Sequence, residues 1–271
     1  MKTSCSRDAA GTVVFIPGYQ DTAALWDEVI DRLPAPGWCT RAVNLRHVED
    51  AGPPRRGAIL EGYRDQVLDV LHDIDPTAQT PVVVVGQSMG AQVAELVAAA
   101  LPDIAVGLTL ITPVPLAGYR LTPEQAARFS HAAHDRTVAS AATNRRALLV
   151  NDSAPVLRAL VSATLATPPA TAVQQLEAWT AGHPLGDQPS TVSAPVLLIG
   201  SEDTFSSTEL IRDAVAPRFA DARTVNVAGA GHWPHVEQPA AVAKVVDNFL
   251  TSVARPASAA ITQPSTERTR K

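Results

Sequence analysis

Short apolar runs alternate along this chain with longer segments in which apolar residues recur at every third or fourth position. The short runs are typical of strands buried on both faces, and the longer pattern is typical of amphipathic helices. The pattern predicts strands at 12–16, 39–45, 82–85, 104–111, 196–199 and 223–227. It predicts helices at 22–33, 58–74, after Ser88, at 208–215 and at 240–253. Strands separated by helices pair in parallel through right-handed crossovers. We therefore expect an α/β fold with a doubly wound, mostly parallel sheet of about six or more strands and helices on both faces.

The alternation stops between residues 112 and 193, where no convincing strand is found. Proline and Asn-Asp breakers divide this segment into alanine-rich helices near 122–135, 137–150, 155–166 and 169–181. An insertion after the strand that ends near Ile111 would lie over the carboxyl edge of the sheet, where open α/β folds form active sites. We expect an α/β core from 11–111 and 194–253, and a helical cap at 112–193. The polar, aperiodic segment 254–271 is expected to be a disordered tail.

A serine between two glycines joins the third predicted strand to its helix, in the order Gly86-Gln87-Ser88-Met89-Gly90. In this position, G-x-S-x-G lifts a serine hydroxyl onto the end of a strand, at the N-terminus of a helix. The tight turn leaves no room for side chains at the flanking positions, which explains both glycines. We predict that Ser88 is a nucleophile and that the Met89 backbone N–H stabilises the developing oxyanion. A loop without chemistry is the alternative.

A serine hydroxyl needs a base at neutral pH, and the base needs an orienting acid. Asp203 stands three residues beyond Gly200, just past the buried strand 196–199. His232 ends the glycine-rich loop after the next strand. The chain order Ser88, Asp203, His232 therefore provides a nucleophile, an acid and a base at three strand ends along one edge of the sheet. A turn aspartate and a structural histidine are the alternatives.

These motifs make the chain resemble the α/β-hydrolase fold superfamily, of the capped serine esterase, lactonase and C–C hydrolase type. The resemblance covers nearly all of 11–253 and is carried by the motifs at 86–90, 198–203 and 231–239. It implies that the base is His232 rather than His235, and that the acid is Asp203 rather than Glu202.

The resemblance also implies a second oxyanion donor, from the loop after the first core strand. That loop is Ile16-Pro17-Gly18-Tyr19-Gln20, so the donor would be the backbone N–H of Tyr19. Pro17 stands where the family usually has histidine. The family's Asp-x-x-Gly-His-Gly-x-Ser motif is scarcely present at 44–50. Because so few residues precede Thr12, we expect the family's initial antiparallel strand pair to be absent.

Several side chains are candidates for a substrate pocket: Gln87, Trp26, Tyr119, Phe129, Trp179 and Trp233. Packing against the sheet is the alternative for Trp26, and the core of the cap is the alternative for Tyr119, Phe129 and Trp179. Arg145 and Arg146 are expected on a solvated helix face, with a contact to a substrate carboxylate as the alternative. His131 and His134 share a helix face, but no further ligands accompany them, so a solvated role is expected over metal binding.

Composition excludes some functions and partners. The formal net charge of -5 argues against nucleic-acid binding through a basic face. The sequence has no apolar run long enough for a membrane span and no apolar stretch typical of a secretory signal, so we expect a cytoplasmic protein. Cys5 and Cys39 are expected to be free thiols, with a disulfide as the alternative. No metal or organic cofactor is implied, and a monomer or homodimer is expected.

The sequence thus predicts a hydrolase that cleaves a small-molecule, apolar carboxylic ester or lactone through an acyl-enzyme on Ser88. Hydrolysis of a C–C bond or a thioester, perhydrolysis and a cofactor-free oxygenase reaction remain alternatives on the same fold. A ligand receptor that retains a hydrolase pocket is an alternative of another class.

Overall fold

The computed structural model describes residues 3–4, 9–34, 37–49, 55–74, 76–77 and 80–254. Its strands are β1 (Thr3–Ser4), β2 (Thr12–Ile16), β3 (Cys39–Ala42), β4 (Val82–Gln87), β5 (Ala105–Ile111), β6 (Val196–Ser201) and β7 (Ala222–Val227). They form one sheet in the order β1-β3-β2-β4-β5-β6-β7. All pairs from β3 to β7 are parallel, and β1 pairs antiparallel with β3. The predicted fold class is confirmed.

Helices surround the sheet. They are α1 (Asp27–Ile30), α2 (Ala58–His72), α3 (Met89–Ala100), α4 (Pro123–His134), α5 (Val138–Arg146), α6 (Ala154–Ala166), α7 (Pro169–Ala181), α8 (Thr208–Leu210), α9 (Pro234–Glu237) and α10 (Pro239–Val253). The helix predicted at 22–33 is shorter than expected. It begins as the 3-10 turn Ala23–Trp26 and ends at Ile30. Pro34 disfavours helical geometry at Leu33, the predicted last residue of this helix.

The central strand β4 explains how the sheet is buried on both faces. Val82 and Val84 point into one apolar cluster, and Val83 and Val85 point into the other. This alternation follows from the two-residue period of a strand. Helices α2 and α3 cover the first face, and α1 and α10 cover the second. The run of four valines is therefore apolar throughout because both of its faces are core.

The N-terminal region corrects two expectations. The pairing of β1 with β3 supplies one short antiparallel strand, although the sequence analysis expected none of the initial antiparallel pair. The prediction of free thiols is wrong for Cys39, which is disulfide-bonded. Both differences involve β3, which Cys39 begins and with which β1 pairs.

Helices α4 to α7 lie between β5 and β6 in the chain, and we call them the helical insertion. Thr122 begins α4 with a reciprocal capping box to Gln125, and Thr137 caps α5 through the Ser140 N–H. Such caps satisfy the free N–H groups at a helix start. The insertion joins the core partly through Gln92 of α3, whose side chain donates to Trp179 O at 3.2 Å.

No single helix of the described residues is long and apolar enough to cross a bilayer. The pair Ala154–Ala166 and Pro169–Asp187 meets the length and composition only when taken together, across a bend of 101°. The tail predicted at 254–271 lies, from residue 255 onward, outside the described residues.

Candidate active site

Ser88 lies between the end of β4 and the start of α3, in a conformation that few residues other than glycine adopt. Its φ is 53° and its ψ is -119°. A strained backbone of this kind costs about 1–3 kcal/mol and is concentrated at functional sites. The residue is buried, and its hydroxyl reaches a cavity at the carboxyl edge of the sheet.

The two glycines of the turn are required by close packing of the backbone. A Cβ on Gly86 would lie 2.2 Å from Gly90 O. A Cβ on Gly90 would lie 2.5 Å from the carbonyl oxygens of Ile16 and Pro17. Backbone atoms cannot move aside as a flexible side chain would, so both positions exclude larger residues. The same packing holds the loop after β2 in contact with the start of α3.

His232 and Asp203 come from the loops after β7 and β6, and the structure brings both to Ser88. His232 Nε2 lies 3.0 Å from Ser88 Oγ, and His232 Nδ1 lies 2.6 Å from Asp203 Oδ2. All three residues are buried. The three side chains form one hydrogen-bonded chain although they are far apart in sequence.

The Asp203 carboxylate is held by its own loop. Its Oδ1 accepts the Phe205 N–H at 2.9 Å, and its Oδ2 accepts the Ser206 N–H at 2.8 Å. Burial acts to raise the pKa of Asp203, but the charge of His232 and the hydrogen bonds from His232 and the two amides lower it below its usual value. Asp203 is therefore a carboxylate at neutral pH and can accept the imidazole Nδ1–H.

Glu237 holds the loop that carries His232, a role the sequence analysis missed. Its carboxylate accepts the N–H groups of Gly231 at 2.9 Å and Trp233 at 3.2 Å, on either side of the histidine. It also accepts the N–H groups of Val150 and Asn151 at 2.9 Å, from the helical insertion. The sequence signal for this role was the Glu-x-Pro pattern at 237–239, because it places a carboxylate about one helical turn after the loop that carries His232.

The neighbouring candidates His235 and Glu202 take no part in the hydrogen-bonded chain. His235 is buried and stacks on Trp26, with ring centroids 4.3 Å apart. Burial lowers the pKa of His235 to about 3, helped by the charges of His232 and Arg145. Glu202 is exposed, and its Oε1 accepts the Gly229 N–H at 2.8 Å.

The two backbone N–H groups predicted as oxyanion donors have no acceptor among the described hydrogen bonds. Met89 is the first residue of α3, so its N–H has no acceptor within the helix. The hydrogen bonds of the described residues include none from the Tyr19 N–H. Tyr19 and Ser88 border the same cavity. Burial raises the pKa of the Tyr19 phenol to about 12, against the opposing charges of Arg145 and Arg136.

Part of the predicted pocket is found at this cavity. Phe129, Trp179 and Trp233 line it, as predicted from the sequence. Residues that were not predicted also line it: Gln20, Asp21, Arg128, Ala132, Asn144, Arg145, Leu148 and Phe205. Phe205 could have been found, because it stands two residues after Asp203. The insertion residues Ala132, Asn144 and Leu148 carry no such signal.

Three predicted pocket residues lie elsewhere. Trp26 is fully buried on the face of the sheet that α1 and α10 cover, where its ring packs against Phe15 with centroids 5.0 Å apart. Gln87 is also fully buried, and its amide donates to His232 O at 2.9 Å. Tyr119 stacks on Phe205, with ring centroids 4.6 Å apart, and does not line the cavity.

The arginine pair is also corrected in part. Arg146 is exposed, as expected, and lies 3.5 Å from Asp152. Arg145 is buried instead, and its Nη1 lies 2.9 Å from Asp21 Oδ1. This contact is an ion pair whose alignment falls short of a hydrogen bond. Asp21 Oδ2 accepts the Trp233 indole N–H at 3.0 Å, so the buried carboxylate is bound on both oxygens.

The helix-face histidines lie apart from this site. His131 is 3.4 Å from Asp135, and His134 Nδ1 is 2.8 Å from Ser130 O, both on the exposed side of α4. Across the described ranges, no group of three His, Cys, Asp or Glu side chains could hold a metal ion.

Known proteins resemble this chain in sequence pattern and in fold. Residues 13–245 match the sequence model of the Alpha/beta hydrolase family. No protein of curated function matches the sequence significantly. Among solved structures, a bromoperoxidase from Bacillus anthracis is similar with a TM-score of 0.78 and 14% identity, over 92% of this chain and 94% of that one.

Two further structures have 20% identity and a TM-score of 0.73. One is a thermophilic esterase from Thermogutta terrifontis, matched over 94% of this chain and 93% of its own. The other is the enol-lactonase from Burkholderia xenovorans LB400, matched over 92% of this chain and 95% of its own. At these identities the likeness establishes the fold, and the reaction has to be argued from the site itself.

Proposed function

The chain belongs to the alpha/beta hydrolase family, and we propose that it hydrolyses a carboxylic ester or a lactone through an acyl-enzyme on Ser88. The observation that carries the proposal is the buried hydrogen-bonded chain of Ser88, His232 and Asp203 beside an aromatic cavity. A nucleophile within reach of a base, and a base held by a third group, is the arrangement that activates a serine hydroxyl.

Acylation begins when Ser88 Oγ bonds to the substrate carbonyl carbon while its proton passes to His232 Nε2. The carbonyl oxygen becomes an oxyanion, which accepts hydrogen bonds from the N–H groups of Tyr19 and Met89. When the tetrahedral intermediate collapses, the bond to the leaving oxygen breaks. That oxygen takes the proton from His232 and departs as the alcohol, leaving the acyl group on Ser88.

Deacylation repeats these steps with water. A water molecule gives one proton to His232 Nε2 as its oxygen bonds to the acyl carbon, and the oxyanion forms again in the same place. Collapse breaks the bond to Ser88 Oγ, which regains its proton from His232, and the carboxylic acid leaves. In both halves Asp203 accepts the His232 Nδ1–H, which keeps Nε2 free to act as the base.

The cavity supports a substrate with an apolar group. Phe129, Trp179, Phe205 and Trp233 present aromatic rings beside the reacting hydroxyl. The buried charge of Arg145 is paired with Asp21, and Arg128, which also lines the cavity, is exposed. Phe129 and Trp179 belong to the helical insertion, which we propose acts as a cap at 112–193 that selects the substrate.

The test is turnover of a series of p-nitrophenyl esters of increasing acyl length, measured beside simple lactones. We expect many turnovers per site on at least one of them, and labelling of Ser88 by a fluorophosphonate. A ligand receptor that retains the fold would release no more than one equivalent of p-nitrophenol per site. That result, or labelling at another residue, would overturn the proposal.

Asp203→Asn is expected to lower kcat by about 10⁴-fold, because an amide cannot hold the imidazole in the tautomer that leaves Nε2 unprotonated. Glu202→Gln is the matched control on the neighbouring residue, and it should keep kcat within about threefold, since Glu202 is exposed and its carboxylate accepts the Gly229 N–H away from the hydrogen-bonded chain. Steady-state kinetics of both variants on one activated ester measure the difference. An active Asp203→Asn beside an inactive Glu202→Gln would show that Glu202 is the acid.

A further inference from the structure

The loop that carries the Tyr19 N–H continues into a residue with an unfavourable backbone. Gln20 has a φ of 55°, although it is not a glycine, and its side chain is buried. Residues in this left-handed region are uncommon and persist where the surroundings hold them. The contacts of Gln20 therefore show what fixes this loop.

The peptide group between Tyr19 and Gln20 is held at both ends by the helical insertion. Its N–H, from Gln20, donates to Gln175 Oε1 at 2.9 Å. Arg145 Nη2 lies 3.5 Å from its carbonyl oxygen, on Tyr19, and 2.7 Å from the carbonyl oxygen of Gln20. Gln175 belongs to α7 and Arg145 to α5, so neither partner is part of the loop or of the sheet.

Arg145 is itself fixed in place. Its Nε donates to Thr164 Oγ1 of α6 at 2.7 Å, and its guanidinium lies over the Trp233 ring, 4.7 Å from the centroid. Its charge is balanced by Asp21, whose side chain is 1% exposed. With these partners, Arg145 serves as a rigid support for the loop. Its guanidinium is therefore not free to bind a substrate carboxylate, which was the alternative role considered from the sequence.

We propose that Gln175 and Arg145 are positioning residues for the oxyanion site. The inference rests on the proposed function, because it assumes that the Tyr19 N–H receives the oxyanion. Gln175 and Arg145 hold the peptide group that directly follows Tyr19. Because this group is planar and fixed, it limits rotation about the φ and ψ of Tyr19 and so limits movement of the Tyr19 N–H. The insertion thereby acts on the chemical step as well as on substrate choice.

The size of the expected effect follows from the geometry of oxyanion binding. Loss of one donor typically lowers kcat by about 10²–10³-fold, and misplacement of a reacting group by about 1 Å costs up to about 10²-fold. Removing the Gln175 acceptor loosens the donor without deleting it. We therefore expect an intermediate loss in kcat, with substrate binding little changed.

The experiment compares Gln175→Leu with Gln174→Leu, two neighbouring positions on α7. Gln174 also ties the insertion to the core, since its Oε1 accepts the Val48 N–H at 2.8 Å and its Nε2 donates to Val48 O at 3.0 Å. That loop contains no proposed catalytic group, which makes Gln174→Leu a control for general loosening of the insertion. Gln175→Glu keeps an acceptor oxygen and serves as the conservative variant.

Gln175→Leu is expected to lower kcat by about 10- to 100-fold with less than about a threefold change in KM. Its affinity for a boronic acid that forms a tetrahedral adduct on Ser88 should fall by a similar factor. Hydrogen exchange of the segment around Gln20 should become faster. Gln174→Leu should leave kcat and boronic acid affinity unchanged, and Gln175→Glu should restore most of kcat.

Ser88→Ala is measured in parallel so that two kinds of failure can be distinguished. If Ser88→Ala is inactive while Gln175→Leu keeps wild-type kcat and boronic acid affinity, the positioning role is wrong and the proposed function stands. Equal losses in Gln174→Leu and Gln175→Leu would also overturn the positioning role. If Ser88→Ala stays active, the proposed function and this inference both fall.

Discussion

Replacing Ser88 with alanine is expected to lower kcat for ester hydrolysis by about 10⁶-fold, because a nucleophile and its base act as one unit and loss of either removes most of their joint contribution. The fold should survive, since the substitution removes one hydroxyl and keeps the methylene carbon. The measurement is steady-state turnover of a p-nitrophenyl ester, together with the thermal unfolding midpoint.

Ser206→Ala is the matched control for this variant, because Ser206 is a second buried serine close to the site. Its hydroxyl donates to Pro113 O at 2.7 Å, and the amide that binds Asp203 belongs to its backbone. The control should keep kcat within about tenfold. If Ser88→Ala kept more than a tenth of the wild-type kcat, Ser88 would not be the nucleophile. A reaction that uses only the His232 and Asp203 pair would give that result.

The sheet could be predicted from the sequence because its signals are local. The four valines from Val82 and the apolar run from Val196 are long enough to mark buried strands without knowledge of their neighbours. The pairing of Thr3–Ser4 with β3 could not be predicted in this way. Two residues carry no periodicity, and their pairing depends on a partner strand far along the chain.

The close approach of Ser88, Asp203 and His232 was also predictable, for a related reason. Each follows a buried strand directly, and parallel strands bring their carboxyl ends to one edge of the sheet. Ser88 has a further local signal, since Gly86 and Gly90 are needed for the close approach of the backbone around it.

The groups that support the site were harder to predict. Arg145 stood in a polar stretch of the insertion, and its burial depends on Asp21 and Trp233, which are distant in sequence. A pattern of hydrophobic positions describes which face of a helix is apolar, and it says nothing about a charge that is buried through a long-range partner. Trp26 is a case in which the sequence suggested a site residue that the fold places elsewhere. This aromatic residue packs against the face of the sheet that α1 and α10 cover.

His232→Ala is expected to lower kcat by about as much as Ser88→Ala, near 10⁶-fold, because the serine then has no base. His235→Phe is the matched control, since it keeps a ring against Trp26 and removes the imidazole three residues after His232, in α9. The control should retain most of the activity. An active His232→Ala beside an inactive His235→Phe would reverse the assignment of the base.

The pH dependence of kcat/KM distinguishes His232 from His235 as the base, and it does so without relying on the size of the activity loss. A histidine acts as a base only when neutral, and imidazole side chains in general change charge between about pH 5 and 8, so kcat/KM of the wild type should rise with pH across this window and then level off. Asp203 stays ionised through this window, because its pKa is lowered. Burial holds the pKa of His235 at about 3, so His235 is neutral throughout and contributes no step to the rise.

The His235→Phe variant should therefore keep the same pH profile as the wild type, and the residual activity of His232→Ala should lose the rise. A rise that vanished in His235→Phe would show that His235 titrates in this window and that the base has been assigned to the wrong residue.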